Sequence, residues 1–537
     1  MRNERGIALV FVLFLVTTIS ALAISLTFLA QSETFASGNY RLATQARYAA
    51  ESGAQKAADF LLDMPTQYDP TSLLALVPLS VNTGVSPVTW GGQPVILSSL
   101  PTQASHYPDA AVVAAFNNAV ADHGLLTAGN SKIGFGAYAT LLHMDGFIDA
   151  YGGGTTIIQT WQIVSDGQIT GVHPATVEIT STIETPKVPA FQYAAFATAN
   201  GCGALTFKGN TGTDSYNSGT LPPGTAPTTC PVGTTGPTCF KTSGGDVGTN
   251  GNMLIDGGAV DVNGNLSTPR TGVGACTAGN VTALSGALTV NGGSPIQLPK
   301  AVNLPTPKIP TPAPGGALKV NNAGDVNAFC ANVGLTAANC TIDNSGAVPV
   351  ILLQNTTGTP MSLPEVDLSA KANIVLVAST NPTISNEYDF NAISLTGGSS
   401  IGVSTPSPNA KAVVMVSGKD STGSTIDPAI NFDGGTYAAP VGTCTTCSAY
   451  DATLLQFVYG GTSTVVMTGN SSASATIYAP NAPATMKGTS DLYGAIVANT
   501  IDVTGSMNIH YDQQLQSLAW THGAPMMTAF SWRNKNN

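Results

Sequence analysis

A run of 24 uncharged, mostly apolar residues, Ile7 to Ala30, follows Arg2 and Arg5 near the N-terminus. As a helix this run would be about 36 Å long at ~1.5 Å per residue. The hydrocarbon core of a bilayer is about 30 Å thick. The run is therefore long enough to cross a membrane, and the two arginines before it favour a cytoplasmic N-terminus.

The helical pattern continues past the apolar run. Apolar and small residues recur at spacings of three, four and seven, which marks one face of a helix; they are Phe35, Leu42, Ala46, Ala49, Gly53, Ala57 and Phe60. Arg47 and Glu51 form an i,i+4 pair, and Pro65 ends the pattern. The sequence therefore predicts one helix over residues 7–62. A secretory signal cleaved after Ala23 is the alternative, but both the apolar run and the helix continue through that site.

This segment resembles the N-terminal domain of PilX-type minor pilins of type IV pili. The resemblance covers residues 1–62 and is carried by Glu33, Gly38-Asn39, Arg41 and the Ala49-Ala50-Glu51-x-Gly53 run. It implies a leader over residues 1–6 that prepilin peptidase removes between Gly6 and Ile7. The helix would then reside in the inner membrane and later pack into a filament with other pilins and the assembly machinery.

Major pilins usually carry a glutamate at the fifth mature position, and here that position is Phe11. A carboxylate in an apolar helix is costly unless it is paired. The replacement removes that cost together with the docking contact to a neighbour's N-terminal amine. By this resemblance, Phe11 favours a rare or tip-located subunit over a bulk filament subunit.

Residues 63–190 predict a pilin-like α+β region. Residues 109–126 have the pattern of a short helix, and residues 155–185 have the alternation of two strands. Asp166-Gly167 is typical of a turn near the end of the first strand.

A short motif recurs from residue 205 onward: apolar, any, apolar, turn residue, glycine. It is seen in LTFKG (205–209), MLIDG (253–257), VDVNG (260–264), LTVNG (288–292), ISLTG (393–397), INFDG (430–434), VVMTG (465–469), ATMKG (484–488) and IDVTG (501–505). Short strands that end in glycine turns predict a β-solenoid over residues 191–525, with a sandwich as the alternative. The Pro-rich stretch 298–316 is either a linker or an extended strap, and 526–537 is a C-terminal tail.

Eight cysteines, all after residue 200, indicate an exported domain with disulfides. Short spacing favours three pairs and leaves Cys202 with Cys276, although other connectivities stay open; the three pairs are Cys230–Cys239, Cys330–Cys340 and Cys444–Cys447. Only 9% of residues are charged and the net charge is −11, so no basic patch for nucleic acid is expected.

No segment predicts a catalytic, metal or cofactor site. Gly398-x-Ser400-x-Gly402 matches a nucleophile elbow but lacks the strand–turn–helix context. Cys444-x-x-Cys447 lacks a second ligand pair for zinc and a βαβ setting for redox chemistry. The residues DVNGN (261–265) lack the closing glutamate of a calcium loop, and His510 is expected to be a structural histidine at a strand end.

The C-terminal elements IYAPNA, YGAIVA and IHYD, within residues 474–512, also resemble a module of large PilX-like proteins. The combined expectation is a non-catalytic pilin-like subunit of the inner membrane and then of an extracellular pilus. It would prime assembly or cap the tip and display a disulfide-braced β domain for adhesion to a surface or glycan. The alternative is a membrane-anchored β-helix enzyme acting on polysaccharide, which requires an acidic cluster with a nearby lysine or arginine.

Overall fold

A computed structural model describes most of the chain, namely residues 4–62, 81–82, 84–121, 126–128, 131–148, 151, 155–171, 174–231, 234, 236–269, 281–293, 295–298, 301–346, 348–434, 437–442, 444, 447–523 and 526–535. The chain forms two compact units. Unit 1 comprises Met1–Phe147, Ile157–Pro186 and Pro525–Asn537, and unit 2 comprises Ile148–Thr156 and Lys187–Ala524. Residues 525–537 thus belong with the N-terminal unit, although the sequence predicts a separate tail there.

Unit 1 combines helices α1 (Glu4–Leu62) and α2 (Ala110–Ala119) with short and long strands. The strands are β1 (Val81–Asn82), β2 (Thr89–Trp90), β3 (Gln93–Pro94), β4 (Ile96–Ser98), β5 (Leu126–Ala128), β6 (Ser131–Ile148), β7 (Thr155–Thr170), β8 (Ala175–Glu184) and, at the C-terminus, β36 (Met526–Asn534). Its main sheet has the order β36-β8-β7-β6-β4. β8 pairs antiparallel with both β36 and β7, and β4 pairs antiparallel with β6.

Helix α1 confirms the predicted long N-terminal helix and ends at the predicted residue, Leu62; Pro65 lies outside the described residues. Its second half packs on the sheet through small side chains. Ala50, Ala54 and Ala57 are fully or almost fully buried and share a core with Trp161 and Ile179. Phe35 continues the same helix face but is 66% exposed, because the buried part of the helix begins only near Leu42.

The prediction of a turn at Asp166-Gly167 is wrong, since both residues lie inside β7. A Cβ atom at Gly167 would overlap the Ala46 carbonyl oxygen and the Ala50 amide nitrogen. Glycine is therefore needed at this position, because the helix backbone approaches the sheet closely here, as is common for glycine inside a strand. Gly53 has the matching position on α1, where a Cβ would lie 2.8 Å from the Phe135 ring.

The predicted tail contains β36, which pairs antiparallel with β8 from Met526↔Glu184 to Asn534↔Val177. Aromatic and β-branched residues are frequent in strands, and Thr528, Phe530 and Trp532 provide them here. Lys535 reinforces the pairing, because its Nζ lies 2.9 Å from Asp166 and 2.8 Å from Glu178.

Unit 2 contains helix α3 (Ala323–Val333) and many short strands. The first strands are β9 (Lys187–Pro189), β10 (Ala195–Ala197), β11 (Leu205–Gly209), β12 (Thr211–Tyr216), β13 (Val247–Thr249), β14 (Met253–Val262), β15 (Leu266–Thr268), β16 (Val281–Val290) and β17 (Ile296–Gln297). The strands after the Pro-rich stretch are β18 (Leu318–Val320), β19 (Cys340–Asp343), β20 (Val350–Gln354), β21 (Met361–Leu363), β22 (Val366–Leu368), β23 (Asn373–Val377), β24 (Glu387–Phe390), β25 (Ile393–Leu395), β26 (Ser400–Thr405), β27 (Ala412–Val416), β28 (Ile430–Phe432), β29 (Tyr437–Gly442), β30 (Leu455–Tyr459), β31 (Val465–Met467), β32 (Ser472–Gly488), β33 (Asp491–Gly505), β34 (Asn508–Asp512) and β35 (Trp520–His522).

Strands β10, β11 and β20 to β29 each pair in parallel with the third strand further along the chain. One ladder runs β20-β23-β26-β29-β32, a second β21-β24-β27-β30-β32 and a third β22-β25-β28-β31-β32. Parallel register keeps equivalent side chains on one face, so Ile374 and Leu376 lie beside Ile401 and Val403 in the core. The large β-rich region after the helix is as predicted.

The glycine of the repeated motif allows adjacent strand ends to stack. Gly469, Gly488, Gly505 and Gly209 all have positive φ, between 75° and 109°. A Cβ atom on Gly488, Gly505 or Gly209 would overlap the carbonyl oxygen of the glycine in the neighbouring strand. Two features therefore require glycine at this position, namely the positive φ and the close approach of the next strand.

The spatial order of the strands differs from their order along the chain. β10 and β11 pair in parallel with β33, and β12 pairs with β34, so the first strands of the unit lie against its last ladder. β13 to β17 continue outward from there, whereas β18 pairs with β22 among the later strands.

The described part of the Pro-rich stretch, residues 298 and 301–316, lies within unit 2 between these two groups of strands and has the contacts of a strap. Asn250 accepts from the Val302 amide at 2.7 Å, and the Tyr478 hydroxyl donates to the Pro305 carbonyl at 2.8 Å. Asn391 accepts from the Ala313 amide at 2.7 Å and donates to the Ala313 carbonyl at 2.9 Å. Side-chain amides thus replace the ladder partners that a Pro-rich segment cannot provide for itself.

We expect Asn391→Leu to release the C-terminal part of the strap. Asn391 is only 2% exposed, and its loss leaves a buried N–H and a buried C=O without partners, at a cost of about 3 kcal/mol. Hydrogen–deuterium exchange of residues 309–316 should rise in this variant. Asn409→Leu, at an exposed position of the same unit, is the control and should leave this exchange unchanged; equal protection in both variants would contradict the prediction.

Candidate functional site

The first half of α1 is an apolar helix whose side chains are exposed in the described part of the chain. Ile7, Phe11 and Phe14 are 60%, 74% and 70% exposed, and Phe28 is 69% exposed. The helix is long and apolar enough to cross a membrane. Its threonines and serines donate to backbone carbonyls three or four residues earlier, as Thr18 does to Phe14 and Ser25 to Ala21. Their hydroxyls are thereby satisfied within the helix, which suits an apolar surrounding.

The residues of α1 for which the sequence predicts a role in processing or assembly are distributed along the helix. Gly6, Ile7 and Phe11 are in its first turns, and Glu33 and Arg41 are exposed beyond the apolar run. Glu51 is half-buried and accepts from Arg47 Nε at 2.9 Å, as the i,i+4 spacing predicts. The role of each residue in processing or assembly stays a prediction.

Arg47 also lies where α1 begins to be covered. Its guanidinium carbon is 5.3 Å from the Trp532 ring centroid, within range of a cation–π interaction. On β36, Arg533 Nε lies 2.6 Å from Glu178, which also contacts Lys535. Burial acts against the charge of Glu178, but hydrogen bonds from Arg533 and Lys535 outweigh it and lower the pKa of its carboxyl. These ion pairs hold β36 against β8.

Three disulfides join Cys230–Cys239, Cys330–Cys340 and Cys444–Cys447, the pairs that short spacing favours. Cys202 is also disulfide-bonded, and its predicted partner Cys276 lies outside the described residues. The Cys330–Cys340 bridge ties α3 to the start of β19. The three described disulfides are all in unit 2.

A buried ionic cluster in unit 2 contains His510 and carboxylates that the sequence analysis did not connect with it. His510, in β34, is 6% exposed, and its Nδ1 lies 2.6 Å from Asp214 Oδ1 in β12. Its ring stacks on Phe240 with centroids 4.1 Å apart and on Tyr493 at 4.8 Å. Burial disfavours the charged ring, but hydrogen bonds to Asp214 and Asp491 outweigh it and raise the pKa of His510 to about 9. An imidazolium–carboxylate pair therefore links two strands at neutral pH.

Sequence reasoning identified His510 as structural but missed Asp214. The two residues are 296 positions apart, so no local motif contains both. Asp214 lies in β12, the strand after LTFKG, between Thr213 and Ser215. A carboxylate in a strand of small polar residues is the only feature of the sequence that could have indicated its role.

The candidate nucleophile Ser400 begins strand β26, and its hydroxyl donates to Asn373 Oδ1 at 2.7 Å. No helix follows it, since β26 continues to Thr405. Within the described residues, no group of three or more histidine, cysteine, aspartate or glutamate side chains is arranged to hold a metal ion.

The polysaccharide hypothesis depends on acidic groups near a basic one, and one such set is present. Asp389 and Glu387 lie two residues apart on β24, and Lys308 of the strap is close enough to influence Asp389. Burial first and Glu387 second raise the pKa of Asp389 to about 7, while Lys308 lowers it. Three cavities of the structure are lined by other residues.

The largest of these cavities, about 460 Å³, lies beside the strap in unit 2. Its lining is uncharged and rich in amides and hydroxyls, with Thr198, Ala199, Asn200, Asn250, Ala301, Val302, Asn303, Leu304, Thr306, Pro480, Asn481 and Asn499. Asn250 and Asn481 are engaged in holding the strap. The groove therefore serves first to seat the strap.

Helix α1 is thus exposed and apolar in its first half and packed on antiparallel strands in its second half. Two family models match the chain: PilX N-terminal at residues 5–55, and the domain of unknown function DUF7305 at residues 365–518. The N-terminal segment of the chain, residues 5–55, is therefore similar to the N-terminal domain of PilX. No curated protein sequence matches it.

Among solved structures, the chain matches the competence-associated pilin ComZ from Thermus thermophilus. The match has 11% sequence identity and covers 92% of this chain and 98% of that chain, with a TM-score of 0.19. Such a TM-score is too low to indicate a shared overall fold.

Proposed function

We propose that this protein is a minor pilin that primes assembly of a type IV pilus or caps its tip. The observation that carries the proposal is helix α1, which is apolar from Ile7 to Ala30, exposed as far as Arg41, and then buried on an antiparallel sheet. Exposed apolar side chains over such a length require lipid or other helices around them. A bilayer before assembly and a filament core after it meet this requirement in turn.

The leader and the anchor form the first part of the proposal. Prepilin peptidase cleaves between Gly6 and Ile7, and the helix stays in the inner membrane as a single span until other pilins and the assembly machinery take it up. The two arginines before the apolar run support this orientation.

Phe11 supports a position at the tip. A carboxylate at this position would be stabilised inside a filament only by a cationic partner in the next subunit. An aromatic ring neither needs nor offers that contact, so a subunit with Phe11 adds poorly below another subunit. A single copy at the end of the filament does not need that contact with a further subunit.

Unit 2 supplies the displayed part of the protein. We infer that its three parallel ladders wind as a β-solenoid, because each strand pairs with the third strand onward in constant register. A domain of over 300 residues on every subunit would crowd a helical filament, whereas one copy at the tip would not. Its long faces, braced by disulfides, would serve adhesion to a surface or glycan.

Immunogold labelling of pili with antibodies against unit 2 tests this function. The expected result is label confined to pilus ends, and fewer pili in a strain that lacks the protein. Even labelling along the shaft, or labelled membranes without labelled pili, would overturn the proposal. In the variant Phe11→Glu, which restores the carboxylate, we expect label to appear along the shaft.

We expect Gly6→Val to keep the leader attached. A β-branched residue enlarges the cleavage position, and peptidases of this kind require a small residue there by the resemblance to prepilins. N-terminal sequencing of the membrane-extracted protein is the measurement, with Ile7 first in the wild type and Met1 or Arg2 first in the variant. Arg5→Lys keeps the charge of the leader and should be processed normally; processing of Gly6→Val at the wild-type rate would remove the leader from the proposal.

A further inference from the structure

Strand β36 lies at one end of the main sheet of unit 1, and β8 is its only strand partner among the described residues. The Lys535 amide donates to the Thr176 carbonyl of the β8 side at 2.9 Å. Alternate residues of an antiparallel strand direct their backbone groups to opposite edges. The N–H and C=O groups of Phe530 and Trp532 therefore point to the outer edge, where another strand can pair with them.

This edge is apolar as well as open. Met526, Met527, Phe530 and Trp532 are 48%, 44%, 49% and 54% exposed. Edge strands of monomeric proteins are usually protected by charges, prolines or short length, and residues 526–532 contain no charge and no proline. Half-exposed aromatic side chains on an open edge are typical of a surface that a partner covers.

The apolar side chains of this edge continue the layer beneath α1. Phe530 and Trp532 lie opposite Ser181 and Ile179 of β8, and cross-strand partners share a sheet face. Ile179 is fully buried in the core with Ala50 and Ala54 of α1. The apolar side chains beneath α1 therefore extend to β36, where those of Phe530 and Trp532 are exposed to solvent.

The edge is also held in place before any partner arrives. Glu178, 9% exposed at its side chain, lies between Arg533 at 2.6 Å and Lys535 at 2.8 Å. Trp532 is held from the other side by Arg47. A strand that is already ordered loses little conformational entropy on binding, which favours association.

We propose that the outer edge of β36 accepts an extended strand from a neighbouring pilin-like subunit, whose apolar side chains cover Phe530 and Trp532. The inference rests on the proposed pilus function. A neighbouring subunit is the occupant because the edge adjoins Arg47, the point at which α1 changes from exposed to covered, so the surface is continuous with the assembly helix. A bilayer fits less well, since Arg47 lies 17 residues beyond Ala30, or about 26 Å along the helix.

The test is photo-crosslinking in piliated cells, with a photoreactive phenylalanine analogue at position 530 of the full chain. Ile296, which is 46% exposed in unit 2, is the control position for exposure alone. Mass spectrometry of the adduct should identify an extended segment of another protein that carries a pilin-type N-terminal helix, and the adduct should be absent from position 296. An adduct with lipid, with a second copy of this chain or with unrelated protein, or no adduct, would overturn the inference.

The variant Trp532→Pro, examined together with the probe at position 530, tests the strand pairing itself. Proline removes an N–H of the outer edge but none of the hydrogen bonds to β8. We expect the yield of adduct to fall about tenfold, as loss of a main-chain hydrogen bond and a steric block would cause, while hydrogen–deuterium exchange of β8 stays at its wild-type level. Trp532→Tyr keeps the N–H and should keep the adduct; an unchanged yield with proline would overturn the pairing.

The outcomes separate this inference from the proposed function. If tip label is present and the adduct at position 530 is absent, the edge is not a docking site and the minor-pilin function stands. If no pilus carries the protein, the proposed function itself fails.

Discussion

Gly167→Val is expected to detach the second half of α1 from its sheet. A Cβ atom at Gly167 would overlap the backbone of Ala46 and Ala50, and a helix backbone cannot yield as a side chain can. We expect a loss of about 4 kcal/mol in the free energy of unfolding of unit 1, above the usual cost of overpacking because two backbone segments collide. Urea unfolding of the full chain in detergent, followed by hydrogen–deuterium exchange of residues 42–62, measures the loss.

Gly38→Ala is the matched control for this prediction. Gly38 lies in the same helix, and nothing is within 4 Å of the position that its Cβ would take. Alanine should stabilise the helix slightly, by up to about 1 kcal/mol, since glycine is a poor helix former. If Gly167→Val unfolds at the same urea concentration as Gly38→Ala, helix and sheet are not in close contact.

Asp214→Asn is expected to destabilise unit 2 by about 3 kcal/mol at pH 7, because it leaves the protonated His510 without its main counter-charge in a buried site. The effect should be local to β12, β34 and the adjoining Phe240. Hydrogen–deuterium exchange of residues 211–216 and 508–512 is the measurement. His143→Gln, at an exposed histidine, is the control and should change neither segment.

The same pair predicts a pH dependence. The pKa of His510 is raised from 6.5 to about 9 in the folded protein, so its contribution is complete below about pH 6.5 and is lost as pH rises through 9. The wild type should therefore lose up to about 3 kcal/mol over this range relative to His510→Gln. Parallel pH profiles for the two proteins would contradict a charged His510.

Sequence reasoning succeeded where a structure depends on residues close together in the chain. The period of three and four residues up to Phe60 predicts α1 and its end, and alternation with a closing glycine predicts strands such as β11 and β33. The same reasoning failed at Asp166-Gly167. An Asp-Gly pair has the same local preferences in a turn and at a close contact. The residue that Gly167 contacts, Ala46, lies 121 positions earlier in the chain.

The candidate sites divide in the same way. The apolar helix and the short-range cysteine pairs can be predicted from spacing, whereas the role of Phe11 is implied only by the resemblance to pilins. The edge strand β36 cannot, because whether Met526–Asn534 is a tail or a strand depends on the ion pairs of Lys535 and Arg533 with β8 and β7, more than 350 residues away.

The amino-acid sequence by itself determined that this chain has a membrane-length helix followed by a large β-rich region. Both follow from local hydrophobicity and periodicity, which act within a few turns of helix or one strand. Only the tertiary structure decided that Gly209 of the first motif stacks on Gly505 of the last, that the strap joins distant strands, and that His510 meets Asp214. Those contacts depend on which strands bury each other's apolar faces, and that choice is made by the packing of the whole unit.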